Sequence, residues 1–409
     1  MNAAVITGLG PVSALGTGVE AFWRALCEGR SGVRRLTRCP PPPRRGCAVA
    51  AETDDPAPLP YDGARPVPRS VQLALAAAGL ALDDAALAGA DRERIGVVVG
   101  TGVGNLDLVE SVLATITAGE RLSPQAAFRA FSHAAACEIV RAFDLRGPVA
   151  TITSGCNSGA DALGLALDWI RLGRADAVLV GGTEAELTPA FFAIMGAARA
   201  LAVRYNDRPE AASRPFDLDR DGNVPGEGAG FLLVESEAHA RGRGVTPIAR
   251  VSGYASRAVG QRDDYDPFKP IFNAEPMVRT LRAALADAGL SPADVSTVSA
   301  NGSSSVFYDA VEAAALRELF GERLDRLPVH SIKAALGQTG AVTPSLQAIA
   351  AALSIRHNLV PPTLNIDHLD PRCPLRIPPE PHRTPINHIL ANAIGFGGFY
   401  YSALVISRT

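Results

Sequence analysis

The stretch RIGVVVGTGVGN, residues 94–105, constrains the fold more than any other part of the chain. A continuous β-branched run that ends in glycines reads as a strand buried on both faces and running into a loop. The same pattern recurs in PVATITSGC (148–156) and DAVLVGGTEAEL (176–187). GAGFLLVES (228–236), VSTVSANGSSS (295–305), LPVHSIKAALGQ (327–338) and INHILANAIGFGG (386–398) add later strands. Helical segments such as AEPMVRTLRAALADAGL (274–290) lie between these strands. Buried strands alternating with helices predict an α/β fold with mainly parallel sheets covered on both faces. Chemistry is then expected where the strands end.

The rest of the chain narrows the class. AAVITGLGPVSALG reads as an opening strand and loop, VEAFWRALCEGRSG as a helix closing near Gly29 and Gly32, and RCPPPPRRG (38–46) as a polyproline II surface connection. VQLALAAAGLALDDAALAGA (71–90) suits a buried helix pair, because Gly79, Asp83 and Asp84 interrupt it. No apolar run approaches the roughly 20 residues that span a bilayer. A net charge of −3 gives no footprint for nucleic acid or an anionic membrane. The N-terminus has no basic region of a secretory signal. Cysteines 27, 39, 47, 137, 156 and 373 lack metal-ligand spacing, which fits a reduced, cytoplasmic compartment. GTGVGN lacks the third glycine of a dinucleotide fingerprint. A boundary between two halves is expected near residues 240–247, giving 1–243 and 244–409. Residues 258–278, rich in charge and aromatics, read as a surface loop or a contact for a dimer or carrier.

Four stretches carry chemistry. In TSGCNSGADAL, Cys156 follows a strand and precedes a helix start at Asn157 and Ser158. A thiol there faces unpaired backbone N–H groups and the positive end of a helix dipole, which predicts a lowered pKa and a nucleophile. Taken alone, the same cysteine also fits an inert buried thiol. In ANGSSSVFYDAVE, a strand end turns into a helix carrying Asp309 and Glu312. In HSIKAALGQTGA, a strand delivers Lys333 into a loop punctuated by glycine. In NAIGFGGFYYS, Phe396 stands between glycines, which leave an aromatic side chain room to swing.

Together and in this order, the four stretches resemble the β-ketoacyl synthase family of the thiolase superfamily, the condensing enzymes of fatty-acid and polyketide synthesis. The resemblance also covers VITGLGPVSALGTGVEAFWRALCEGRSGV, SRPFDLDRDGNVPGEGAGFLLVES (213–236) and VPPTLN (360–365). It implies two similar halves, each with a five-stranded mixed sheet, stacked as α-β-α-β-α. It also implies a dimer, thioester chemistry on acyl carrier protein, and neither a metal nor a nucleotide cofactor. The nucleophile aligns with Cys156, the lysine of the SxKxxxGH loop with Lys333, and the gating aromatic with Phe396, with Phe399 adding bulk beside it. Asp309 and Glu312 align as structural acidic residues near the site.

The chain departs from that family at both catalytic histidines. Asn301 and Gln338 stand in their places, and none of the histidines 133, 239, 330, 357, 368, 382 and 388 occupies either motif position. His330 precedes Lys333 by three residues, but on the strand. Side-chain amides still donate neutral hydrogen bonds, but they do not titrate near neutrality. Loss of an oxyanion donor typically costs about 10²–10³ in rate, and loss of acid–base assistance about 10²–10⁴. Ordinary decarboxylative condensation by this chain alone is therefore not expected. The leading expectation is a non-elongating partner of an active synthase, similar to the chain-length factor of type II polyketide synthases, in a heterodimer or with itself. The alternative is an acyltransferase that forms an acyl-Cys156 intermediate and passes it to an oxygen or nitrogen acceptor. A specialised condensing enzyme with a Cys-Asn-Gln site is a third reading.

Overall fold

The computed structural model describes residues 2–41, 46–56, 67–87, 90–260 and 272–409. The centres of two expected surface segments, residues 42–45 and 261–271, lie outside these described residues.

Ten strands form one hydrogen-bonded path. They are β1 (Ala4–Ser13), β2 (Ile95–Gly100), β3 (Val149–Ile152), β4 (Ala177–Glu184), β5 (Gly228–Ser236), β6 (Ala249–Ala258), β7 (Thr297–Ser299), β8 (Val329–His330), β9 (His388–Ile394) and β10 (Tyr400–Ser407). Their order across the sheet is β8-β7-β9-β10-β6-β1-β5-β4-β2-β3, with the short strand Gly16–Thr17 paired to β1. Five strands from the first part of the chain lie on one side of the β6/β1 junction and five from the second part on the other. The expected pair of five-stranded sheets is therefore visible but joined. Ala4, Val5 and Ile6 of β1 pair with Val251, Arg250 and Ala249 of β6.

Six helices complete the layers: α1 (Arg69–Asp84), α2 (Ala134–Phe143), α3 (Ser158–Arg171), α4 (Glu275–Asp287), α5 (Tyr308–Phe320) and α6 (Thr343–His357). α1 and α2 cover one outer face, and α4 and α5 the other. α3 and α6 lie between the two sets of strands and touch both. The sequence of α6, TPSLQAIAAALSIRH, buries every residue from Thr343 to Ile355. A helix apolar or small on every side belongs in such a central layer. The layering is that of the thiolase fold. The expected helix pair after residue 70 is a single helix, ending at Asp84, whose carboxylate accepts the backbone N–H of Leu9 at 2.9 Å.

The central layer positions the site. A Cβ on Gly159 would fall 2.4 Å from the Ala341 carbonyl oxygen, so only glycine lets α3 approach the loop ahead of α6 this closely. The turns before these two helices therefore face each other. Among the described residues, no helix is long and apolar enough to cross a membrane.

Candidate active site

Cys156 lies in the short turn Gly155–Asn157 between β3 and α3. The turn is clamped from both halves of the chain. Ser158 Oγ donates to the Gly155 carbonyl at 2.6 Å, and Asn157 Nδ2 donates to Ser402 Oγ of β10 at 3.0 Å. Tyr400 donates its hydroxyl to the Ser154 carbonyl. Asp161, one turn into α3, accepts from Tyr254 at 2.8 Å and from Ser402 at 2.6 Å.

The thiol opens on a cavity of about 900 Å³. Phe191, Met195, Val306, Phe307 and Ile394 give it apolar walls. Phe396 and Phe399 also line it, half-exposed, in and beside a turn where Gly397 and Gly398 have positive φ.

The same cavity is lined by the expected amides. Asn301 Oδ1 accepts from Lys333 Nζ at 2.7 Å and from the Ile394 N–H at 3.1 Å. That assignment leaves Asn301 Nδ2 to face the cavity it lines. Gln338 Oε1 accepts from Thr343 Oγ1 at 3.2 Å, which leaves its Nε2 in the same position. Lys333 is buried and does not itself line the cavity. Burial pushes its ammonium down to about 8, and the nearby Cys156 and the buried carboxylates of Glu312 and Asp309 oppose that shift.

Asp309 and Glu312 sit behind this wall, fully buried. Glu312 accepts the backbone N–H groups of Asn301 at 2.6 Å and Gly302 at 2.8 Å. Asp309 accepts those of Phe216 and Ser303, both at 2.9 Å, and pairs with Arg220 at 3.6 Å. Their carboxylates fix the backbone of the Asn301 turn. Desolvation pushes Glu312 up to about 7 and raises Asp309. His330 does not line the cavity. Neither ring nitrogen has a partner among the described residues, and burial pushes its pKa down to about 4.

The lowered thiol pKa expected from the helix start is overturned. Desolvation and the carboxyl groups of Glu186 and Glu184 push Cys156 up to about 11. Lys333 and the backbone N–H of Phe396 pull the other way without prevailing. Cys156 also precedes the first residue of α3 by two positions, within a tighter turn.

Sequence reasoning missed Glu184 and Glu186. Both line the cavity and both are buried. Glu184 closes β4, and its carboxylate accepts from Gly102 N at 2.7 Å, Val103 N at 3.2 Å and Thr101 Oγ1 at 3.2 Å. The glycine-rich loop GTGVGN thus cradles a carboxylate of its own chain. The available signal was two acidic residues at i and i+2, at the end of a buried strand, where an α/β site is expected. Among the described residues, no group of three His, Cys, Asp or Glu side chains is placed to hold a metal.

Residues 1–240 match the β-ketoacyl synthase N-terminal domain, and residues 248–367 the C-terminal domain. The chain belongs to the β-ketoacyl synthase family. It is 35% identical to the 3-oxoacyl-[acyl-carrier-protein] synthase 2 of Coxiella burnetii, over 99% of this chain and 98% of that protein. It is 36% identical to the tetracenomycin polyketide synthase ketoacyl synthase alpha subunit of Streptomyces glaucescens, over 99% and 96% of the two chains. Among solved structures, one neighbour is a type II polyketide synthase acyl-carrier protein in complex with its ketosynthase bound to the hexaketide. It superposes with a TM-score of 0.90 at 32% identity, over the whole of both chains. Another is the ishigamide ketosynthase/chain length factor, with a TM-score of 0.89 at 31% identity, covering 100% and 99% of the two chains. Within this ketosynthase fold, the side-chain amides of Asn301 and Gln338 line the same cavity as the cysteine and do not titrate near neutrality.

Proposed function

We propose that this ketosynthase-like chain transfers acyl groups in polyketide or fatty-acid synthesis. In this reading Cys156 takes the acyl group from a thioester on acyl carrier protein and passes it to an oxygen or nitrogen acceptor. The observation that carries the reading is the cavity itself. The thiol, the side-chain amides of Asn301 and Gln338 and a set of apolar side chains line that same space. Acyl transfer needs a nucleophile and a polarised carbonyl, and both fit these residues. Decarboxylative condensation needs in addition the acid–base groups that positions 301 and 338 lack. Lys333 orients Asn301 through their 2.7 Å bond, and Phe396 and Phe399 guard the entry. We also read the chain as two halves, 1–243 with the nucleophile and 244–409 with the Asn301, Lys333 and Gln338 loops, working as a dimer with itself or with a second synthase.

The test is intact-mass measurement after incubation with a series of acyl-carrier thioesters, with Cys156→Ala as control. An acyl adduct on the native chain that the variant lacks supports the reading, and amines and alcohols are then screened for release of the acyl group. A second reading, the non-elongating chain-length-factor-type partner, is favoured by Asn301 and Gln338 and by the bulk of Phe399 at the cavity. It predicts no adduct, together with co-purification with a histidine-bearing synthase.

A further inference from the structure

The amides at 301 and 338 leave open which group moves the protons of acyl transfer. We propose that Glu186, paired with Glu184, is the proton-transfer residue of this site. The inference rests on the acyl-transfer reading above and adds a catalytic group to it.

The two carboxyl groups face each other over Gly340. A Cβ built on that glycine, whose φ is +53°, would lie 3.1 Å from an oxygen of each. Their surroundings are opposite. Glu184 meets donors on both oxygens, from Gly102, Val103 and Thr101, with the Ala341 N–H a fourth at 3.4 Å. Glu186 is only 4% exposed, lines the cavity, and meets no donor among the described residues. Two adjacent carboxylates in a desolvated wall do not both stay ionised. Donors stabilise the charge on Glu184, so the proton kept by the pair resides on Glu186. Burial and the Glu184 charge accordingly push Glu186 well above the usual carboxylate range, while burial brings Glu184 to about 7. Opposed environments of this kind separate an acid from its partner. The other charged residues lining the cavity, Arg199 and Asp221, and buried Lys333 behind Asn301, complete the ionic surroundings.

The proton balance closes without a co-reactant. In the first half, the Cys156 sulfur bonds to the acyl carbon and the bond from that carbon to the carrier sulfur breaks. Glu186 gives its proton to the departing carrier thiolate and is refilled by the proton of the Cys156 thiol. In the second half, the acceptor oxygen or nitrogen bonds to the acyl carbon and the bond to Cys156 breaks. The acceptor proton passes through Glu186 to the cysteine sulfur. The carboxylic acid and the thiol are both regenerated.

Glu186→Gln tests this, because it keeps the size and neutrality of the protonated acid but moves no proton. The first arm needs no acyl substrate. Alkylation of Cys156 by iodoacetamide is followed by mass from neutral to alkaline pH. Removal of the carboxyl is expected to move the alkylation profile to lower pH, and an unchanged profile overturns the proposal. The second arm is single-turnover acylation from an acyl-carrier thioester, where the variant is expected to lose about 10²–10⁴ in rate. Added acetate is expected to restore part of the rate of Glu186→Ala but none to Cys156→Ala. Acylation of Glu186→Gln at the native rate overturns the proposal. If the native chain forms no adduct while the alkylation profile shifts, the acyl-transfer reading falls and the thiol–carboxyl coupling stands.

Discussion

The two walls of the cavity are built on opposite principles. On the wall from the second part of the chain, polar groups are largely satisfied: Lys333 and Ile394 saturate the Asn301 oxygen, Glu312 takes two backbone N–H groups, and Asp309 pairs with Arg220. On the wall from the first part, Glu184 is satisfied as well, but Glu186 has no hydrogen-bond donor among the described residues, and burial together with its neighbours pushes the Cys156 thiol up. A satisfied buried network fixes geometry, whereas an unsatisfied buried acid stores free energy that chemistry draws on. On the proposal above, the Asn301 wall positions and the Cys156 wall carries the proton chemistry.

The largest expected effect breaks the rigid wall. Asp309→Ala leaves two backbone N–H groups and part of the Arg220 charge uncompensated in the interior. We predict a loss of about 3–5 kcal/mol in stability, read from the denaturant midpoint. A loss near zero would remove the claim that this wall is held by its polar network.

A smaller effect is expected at the seam between the walls. Gly340→Ala places a methyl group against both carboxyl oxygens at a residue with φ of +53°. We predict a stability loss of about 1–2 kcal/mol. Thermal unfolding reads the stability, and a Cys156 alkylation profile altered from the native one would show that the carboxyl pair has been spread.

The smallest effect sharpens the contrast through pH. Carboxyl groups raised from 4.5 to about 7, as Glu184 and Glu312 are, bind a proton in the native state that the unfolded chain has released. Their contribution to stability is full below about pH 4.5 and is lost as pH rises towards 7. Glu186, raised well above 4.5, adds to the same slope. Glu186→Gln is therefore expected to be more stable than the native chain at pH 7, because it does not carry a carboxyl that must hold a proton in the native state. Its thermal midpoint should fall less between about pH 5 and 7, with the Glu312 share of the slope remaining. A variant less stable than the native chain at neutral pH would show that Glu186 has a partner in solution.

Much of this was legible along the chain. The glycine-ended apolar runs became β2 and β4, because a run apolar on both sides has no stable place except between two layers of helices, whereas β3, expected to be buried in the same way, lies at the sheet edge with Val149 half-exposed. The Cys156, Asn301, Lys333, Gln338 and Phe396 stretches marked the site because each lies where a strand gives way to a loop. Other features did not carry over from local rules. The helix-start argument for Cys156 considered the dipole alone, and burial, aided by two neighbouring carboxyl groups, reversed its sign. The β1–β6 pairing that joins the two sets of strands involves three residue pairs about 245 positions apart, with no local signature.

The sequence by itself determined the order of strands and helices, the family, and the replacement of both histidines by amides, because these depend on residue type and spacing alone. Only the tertiary structure decided that GTGVGN holds a carboxylate, that Lys333 is spent on Asn301, and that Glu186 lines the thiol's cavity with no hydrogen-bond donor among the described residues. A carboxyl group at the end of a strand is solvated or buried according to what the rest of the chain brings against it. Here the Gly340–Ala341 loop, some 155 residues further along, packs against the carboxyl groups of Glu184 and Glu186, and burial raises both above ordinary acids.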